Sequence, residues 1–178
     1  MIKFNDLNQA EPFLIFKEKY DEALGAHQKN IEAISISTYN KELSEVDARF
    51  VNLKFIDDQE FIFFSNYNSP KSVAFQSHKQ ICASFYWSST NVQVRMKAEI
   101  NRTSVLYNNE YFKKRSPDKN SLAISSNQSK KIESYDDVVF RYKEIKKNKD
   151  LSKCPDYWGG FSFIPYYFEF WEGHESRI

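Results

Sequence analysis

A chain of 178 residues with 25 basic and 24 acidic side chains carries a net charge of +1, so no global field draws it to nucleic acid or an anionic membrane. The length fits one domain with a real core, and 16 Phe and 11 Tyr against 4 Gly favour a β-rich fold with an aromatic core or interface. Cys82 and Cys154 are too few and too isolated for a disulfide framework or a zinc site, no apolar segment follows Met1, and no run approaches the ~18 apolar residues of a membrane span, so a cytoplasmic setting is expected.

Residues 1–30 read as an N-terminal helical segment. Phe13, Phe16, Tyr20, Ala23 and Leu24 fall at helical spacing from Pro12, and Gly25 serves as a C-cap. Ile31 to Thr38 alternates as a first strand, and Tyr39 to Glu45 is a polar turn. From Arg49 the period is two, with Phe50 and Asn52 on one face and Val51, Leu53 and Phe55 on the other. Asp57 to Glu60 turns the chain into the apolar run Phe61 to Phe64, which reads as a strand buried on both faces. The polar loop Ser65-Asn66-Tyr67-Asn68 follows, and Ser69 before Pro70 is a helix start, Ser as N-cap and Pro at the first helical position.

Lys71 to His78 makes one or two helical turns carrying Val73, Ala74 and Phe75. Ile81 to Trp87 is a strand, Ser88 to Asn91 a turn, and Val92 to Ile100 a half-buried antiparallel strand alternating Val92, Val94, Met96, Ala98 and Ile100 against Gln93, Arg95, Lys97 and Glu99. Ser104 caps a helix to Arg115, with Val105, Leu106, Tyr111 and Phe112 facing inward. Ser116 to Asn120 breaks it, and Ser121 to Ser129 has no clear structure. Asp136 to Lys149 is a helix with Val138, Val139, Tyr142 and Ile145 as its stripe. Phe161 to Trp171, with seven aromatics in eleven residues, opens a C-terminal strand segment, 161–178. The expected architecture is mainly β: five or six antiparallel strands in a small β-barrel, helices at its margins, one domain over 1–178.

The chemistry is local. His27, His78 and His174 are scattered without metal spacing, and there is no G-x-S-x-G elbow, P-loop or G-x-G-x-x-G. Arg141, Lys143, Lys146, Lys147 and Lys149 read as the solvated face of a helix, and nothing near Cys154 activates its thiol. Arg49 and Lys54 lie five apart, so they project to opposite faces unless a bulge re-aims one. With Ser65, Ser69 and Lys71 they form a set of phosphate-suited donors, although each alone could be an ordinary surface group. Gln93 reads first as a surface amide; a flavin edge, offering both donor and acceptor, is the alternative.

Taken in order, several blocks resemble the pyridoxamine 5′-phosphate oxidase family: Arg49-Phe-Val-Asn-Leu-Lys54; Phe63-Phe64-Ser65-Asn66 with Ser69 and Lys71; Trp87 followed by Gln93-Val-Arg95; Tyr111-Phe112 with Arg115; Asn127-Gln128-Ser129; Trp158-Gly159-Gly160; and Glu169-Phe170-Trp171-Glu172-Gly173 with Arg177. Any one block is weak, but the ordered set is specific. The resemblance implies an FMN-binding split barrel that forms a homodimer with FMN at the subunit interface. It implies that Arg49, Ser65, Ser69 and Lys71 hold the FMN phosphate and ribityl chain, and that Phe50, Val51, Phe64, Gln93, Gln128, Ser129 and Trp171 line the rest of the flavin site. Lys54, Tyr111 and Arg115 take the phosphate of pyridoxamine or pyridoxine 5′-phosphate, and Arg177 lies against its ring as the catalytic side chain. The implied reaction yields pyridoxal 5′-phosphate and hydrogen peroxide, with dioxygen as oxidant.

There are departures from the family pattern. Pro70 stands in place of an Arg, Lys119 in place of a Ser that helps bind the substrate phosphate, and Leu122-Ala123-Ile124 in place of Gly-Ala-Trp. The sequence ends at Arg177-Ile178, where the family continues with His, an acidic residue and Arg. A flavin or pyridoxal phosphate protein that does not turn over, or that takes another substrate, is therefore the second expectation.

Overall fold

The computed structural model describes residues 1–126, 128–148 and 150–174. Among the described residues there are seven strands, β1 (Lys3–Asn5), β2 (Ala33–Asn40), β3 (Glu45–Asp57), β4 (Glu60–Asn66), β5 (Gln80–Trp87), β6 (Val92–Arg102) and β7 (Trp158–Glu172), interspersed with five helices. The helices are α1 (Glu11–Gly25), α2 (Pro70–Ser77), α3 (Val105–Lys114), α4 (Pro117–Ser125) and α5 (Tyr135–Asn148). The strand order is β1-β3-β2-β5-β6-β7-β4, and β4 pairs again with β3. The ring β3-β2-β5-β6-β7-β4 thus closes on itself, which removes the open edges of a sheet. The expected β-barrel with peripheral helices is the fold observed.

The chain forms two compact units. The first contains Met1–Phe64, Ala74–Asn101 and the described residues from Phe161; the second contains Ser65–Val73 and Arg102–Gly160.

The core of the first unit is aromatic. Phe61 stacks on Phe163 at 5.2 Å, Phe63 on Phe161 at 5.6 Å, and Phe75 meets Phe161 edge-on at 4.9 Å. On α1, Phe16 is fully buried against Phe61, Phe85 and Trp87. Each such ring contributes about 1.5–3 kcal/mol by burial alone. The indole of Trp87 donates to the Ile31 carbonyl at 3.2 Å, which satisfies its one polar atom.

Strand β3 is long enough to serve three neighbours. Residues 45–52 pair with β2, and 53–57 pair with β4. Residues 55–57 also pair with β1, in parallel. Leu53 lies opposite Phe63 but Phe55 lies opposite Ile62, so Lys54 is an extra residue in a bulge. After it the buried positions change parity, with Leu53 and then Ile56 in the core. Phe55, read on the same face as Val51 and Leu53, is turned off that face by the bulge. Strand β6 keeps the expected alternation, with Val92, Val94, Met96, Ala98 and Ile100 all buried.

In the second unit the Ser104 hydroxyl accepts from the Tyr107 amide and starts α3, and the Ser116 hydroxyl accepts from Lys119 N with Pro117 next, starting α4. Two readings need correction. Val105 and Leu106 are 73% and 78% exposed, and Asn108 and Phe112 take the inward positions of α3. Residues 117–125, read as a break followed by an undefined piece, are a helix, because Ser116-Pro117 ends one helix and begins the next. Strand β1, too short to show a period, was not expected, and β2 runs on to Asn40, which leaves 41–44 as the turn.

Candidate functional site

Strand β4 ends at Ser65 and Asn66, and the chain turns into α2 through a set of hydrogen bonds centred on one carbonyl. Asn66 O accepts from Ser69 N at 3.2 Å, from the Ser69 hydroxyl at 2.8 Å and from the Ser72 hydroxyl at 2.9 Å. Lys71 reaches back from the first turn of α2 to donate to the Ser69 hydroxyl at 3.1 Å. Ser65, Ser69, Lys71 and Ser72 are buried, Lys71 to 5% exposure. Lysine is rarely buried except when it is paired or serves a ligand. An ammonium group among hydroxyls at a helix start has the chemistry of an anion seat. Gln128 joins the seat, its side-chain oxygen accepting from Ser65 Oγ at 3.4 Å and Asn66 N at 3.3 Å. Ser129 is exposed in a left-handed backbone, φ 64°.

A second group of side chains is built on Trp158, which is buried at the start of β7. Tyr111 stacks on its indole at 6.3 Å with an interplanar angle of 12°, and Phe112 meets it edge-on at 4.9 Å. The Arg115 guanidinium lies 4.4 Å over the same ring, a cation–π contact. Its Nη2 donates to the Lys119 carbonyl at 3.2 Å, while Nη1 is buried with no hydrogen-bond partner. Burial lowers the pKa of Arg115 and raises that of the Tyr111 hydroxyl, yet arginine remains a cation in proteins. A buried guanidinium nitrogen without an acceptor is costly, and a phosphate oxygen is the group it fits. The Lys119 side chain is exposed on the first turn of α4.

The two groups share a network that sequence reasoning missed. The Tyr67 hydroxyl donates to Gly160 O at 3.1 Å and accepts from Asn108 Nδ2 at 3.0 Å. Asn108 Oδ1 accepts from Thr103 Oγ1 at 2.7 Å and Gly160 N at 2.8 Å. The available signal was an amide four residues before Phe112 on the buried face of α3.

In the first unit, Arg49 of β3 donates from Nη1 to Ile36 O at 3.2 Å and Thr38 Oγ1 at 2.8 Å, and pairs with Asp47. Val51 is half-buried, while Phe50, pointing oppositely, is 74% exposed. Lys54 sits in the bulge, its ammonium 4.0 Å from Glu32 Oε1. The strand is therefore irregular where the two cations part. Phe64 is half-buried and meets Phe55 edge-on at 6.3 Å. Gln93 is half-buried on the polar face of β6, beside Arg95, whose Nε donates to Glu169 Oε1 of β7 at 2.9 Å. That bond holds the Glu169 carboxyl below the usual carboxylate range. Trp171 is exposed near the end of β7. Arg177, like Asn127 and Lys149, lies outside the described residues.

Among the described residues no His, Cys, Asp and Glu cluster could hold a metal, and no helix is long and apolar enough to cross a membrane. Burial pushes the Cys154 thiol up to about 11, in keeping with an inert cysteine.

No family model matches the sequence. A pyridoxine/pyridoxamine 5′-phosphate oxidase of Leptospira interrogans is 30% identical over 172 residues, spanning 95% of this chain and 79% of the relative. That of Coxiella burnetii is 34% identical over 170 residues, spanning 95% and 86%. The chain belongs to the pyridoxine/pyridoxamine 5′-phosphate oxidase family. Among solved structures, PhzG from Burkholderia lata, in complex with tetrahydrophenazine-1-carboxylic acid, superposes with a TM-score of 0.88 at 20% identity, covering 95% of this chain and 83% of that one. A pyridoxamine 5′-phosphate oxidase-related FMN-binding protein from Nostoc punctiforme gives 0.71 at 13% identity, covering 88% and 84%. At these identities the likeness is one of fold, and it is the split barrel of the pyridoxamine phosphate oxidase-like proteins.

Proposed function

We propose that the protein is an FMN-dependent oxidase converting pyridoxamine or pyridoxine 5′-phosphate to pyridoxal 5′-phosphate. The observation that carries this reading is Arg115, its guanidinium 4.4 Å over the Trp158 ring on which Tyr111 also stacks, with a buried guanidinium nitrogen lacking an acceptor. The names of the relatives agree with it. In this reading the substrate phosphate accepts from Arg115 and Tyr111, with Lys54 and Lys119 as further cations. Contact with the indole restrains the guanidinium, so less side-chain entropy is lost when the phosphate binds. Ser65, Ser69, Lys71 and Arg49 hold the FMN phosphate and ribityl chain, for which the buried ammonium among hydroxyls is a fitting seat. Phe50, Val51, Phe64, Gln93, Gln128, Ser129 and Trp171 line the flavin ring, and Arg177 lies against the substrate ring, in a homodimer. When bound, FMN would supply the two-electron acceptor for the substrate C4′ carbon and be reoxidised by dioxygen, which leaves as hydrogen peroxide; with pyridoxamine 5′-phosphate, water supplies the carbonyl oxygen and the amine leaves as ammonia.

The test is direct. Protein purified with added FMN should be yellow and should form pyridoxal phosphate and peroxide from pyridoxamine 5′-phosphate; a flavin-loaded protein forming neither refutes the activity. A second reading, the same fold acting on another substrate, draws on Lys119 and Leu122, both exposed on α4. A substrate panel under single-turnover conditions separates the two.

A further inference from the structure

We infer that Tyr67 and Asn108 are positioning residues, a brace that sets the 65–71 seat and the Arg115–Trp158 shelf in one fixed relation. The inference rests on the reading of those two groups as sites for the cofactor and substrate phosphates. Tyr67 follows Ser65 and Asn66 directly and is held at both ends. Its N–H donates to Tyr157 O at 2.7 Å and its hydroxyl to Gly160 O at 3.1 Å, so it spans the residues on either side of Trp158 and Gly159. Its ring lies 4.1 Å under the Arg102 guanidinium. Burial pushes the hydroxyl pKa up, which keeps it a donor at neutral pH.

Asn108, 4% exposed, donates to Tyr67 and accepts from Thr103 and Gly160. The Gly160 carbonyl also accepts from Thr103 N at 3.0 Å. Deleting one member of such a buried network strands the others. Between the brace's two anchors, Tyr157 and Gly160, lies Trp158, on which Arg115 rests. A fault at Tyr67 therefore moves the shelf and the seat relative to each other, without touching any group that meets a ligand. A purely structural network would lower stability and nothing else.

Tyr67→Phe removes the hydroxyl and keeps the ring. The expected result is a KM for pyridoxamine 5′-phosphate raised about 5- to 20-fold, the equivalent of one lost buried hydrogen bond, with kcat changed less than about threefold. A ligand-free readout accompanies it. Cys154 Sγ contacts Trp158 O at 3.6 Å, so in a Cys82→Ser background the Cys154 thiol should react with a disulfide reagent about tenfold faster once Tyr67 is Phe, because the local opening that exposes it is easier. Thr103→Val, which removes one bond to Asn108, is the milder variant should Tyr67→Phe fold poorly, and should move both readouts in the same direction. A lowered melting temperature with KM and thiol rate both within twofold of the parent overturns the brace. If the parent protein neither binds FMN nor oxidises the substrate, the functional reading falls instead, and the thiol rate alone decides the brace.

Discussion

Gly159 is the position at which the smallest side chain should do most damage. A Cβ built there lies 2.1 Å from the Tyr67 hydroxyl oxygen, 2.5 Å from Asn108 Nδ2 and 2.6 Å from Tyr67 Cζ. Non-bonded carbon atoms rest about 3.5–4 Å apart, so more than an ångström must be yielded by groups that are themselves hydrogen-bonded. In Gly159→Ala, overpacking costs about 1–3 kcal/mol. Displacing Tyr67 from Asn108 leaves a buried amide donor short of a partner, a further 1–3 kcal/mol or about that. The sum, about 2–6 kcal/mol, corresponds to a fall of about 6–18 °C in melting temperature for a chain of this length. Urea unfolding followed by circular dichroism should give a lower midpoint with an unchanged slope. Adding Tyr67→Phe removes the atom at 2.1 Å but not the ring carbon at 2.6 Å, so the double variant should recover only about 1 kcal/mol. A Gly159→Ala protein within about 0.5 kcal/mol of the parent would refute the packing described around Tyr67.

Other outcomes follow from the proposed site and its charges. Arg49→Ala should weaken FMN binding by about 1.5–3 kcal/mol, the range for hydrogen bonds to a charged group, measured by quenching of flavin fluorescence; unchanged affinity removes Arg49 from the site. Arg115→Ala should raise the KM for pyridoxamine 5′-phosphate by about 10- to 150-fold while leaving FMN affinity nearly as it was, and a loss of both affinities would mean that Arg115 serves the fold instead. The Glu169 carboxyl is held low by Arg95 and that of Asp118 by Lys146. Their contribution to stability is present above the ordinary carboxylate range and is lost as pH falls through the lowered values. The urea midpoint should therefore decline below pH ~4, and Glu169→Gln should flatten that decline. With its thiol pushed up to about 11, Cys154 in a Cys82→Ser background should alkylate slowly at pH 8 and accelerate only toward that value; rapid reaction near neutrality would contradict its burial.

Much of the barrel was legible because a half-buried strand writes its period directly into the chain. Val92 to Ile100 alternates as its burial does, and Phe61 to Phe63 are buried as a continuous apolar run should be. The Ser69-Pro70 and Ser104 signals stand at helix starts, and the Ser104 hydroxyl accepts from the Tyr107 amide because capping is a local matter of one hydroxyl and nearby amides. Ser116-Pro117 carries the same local signal, although the sequence there reads as a break. The proposed site residues stood out as a family resemblance in an ordered set of motifs, and as donor-rich chemistry around Ser65 to Lys71. Val105 and Leu106 misled because hydrophobicity predicts burial only on average, and α3 turns Asn108 and Phe112 inward instead.

What the sequence determined by itself, then, is the strand period, the caps and the aromatic content of the core, all set by neighbours along the chain. The bulge at Lys54 depends on which residue of β4 lies opposite Leu53 and which opposite Phe55. The burial of Asn108 depends on Tyr67 and Gly160, 41 residues before it and 52 after it. An amide or a glycine in a sequence carries no mark of the distant group it will meet, and only the closed tertiary fold supplies that partner.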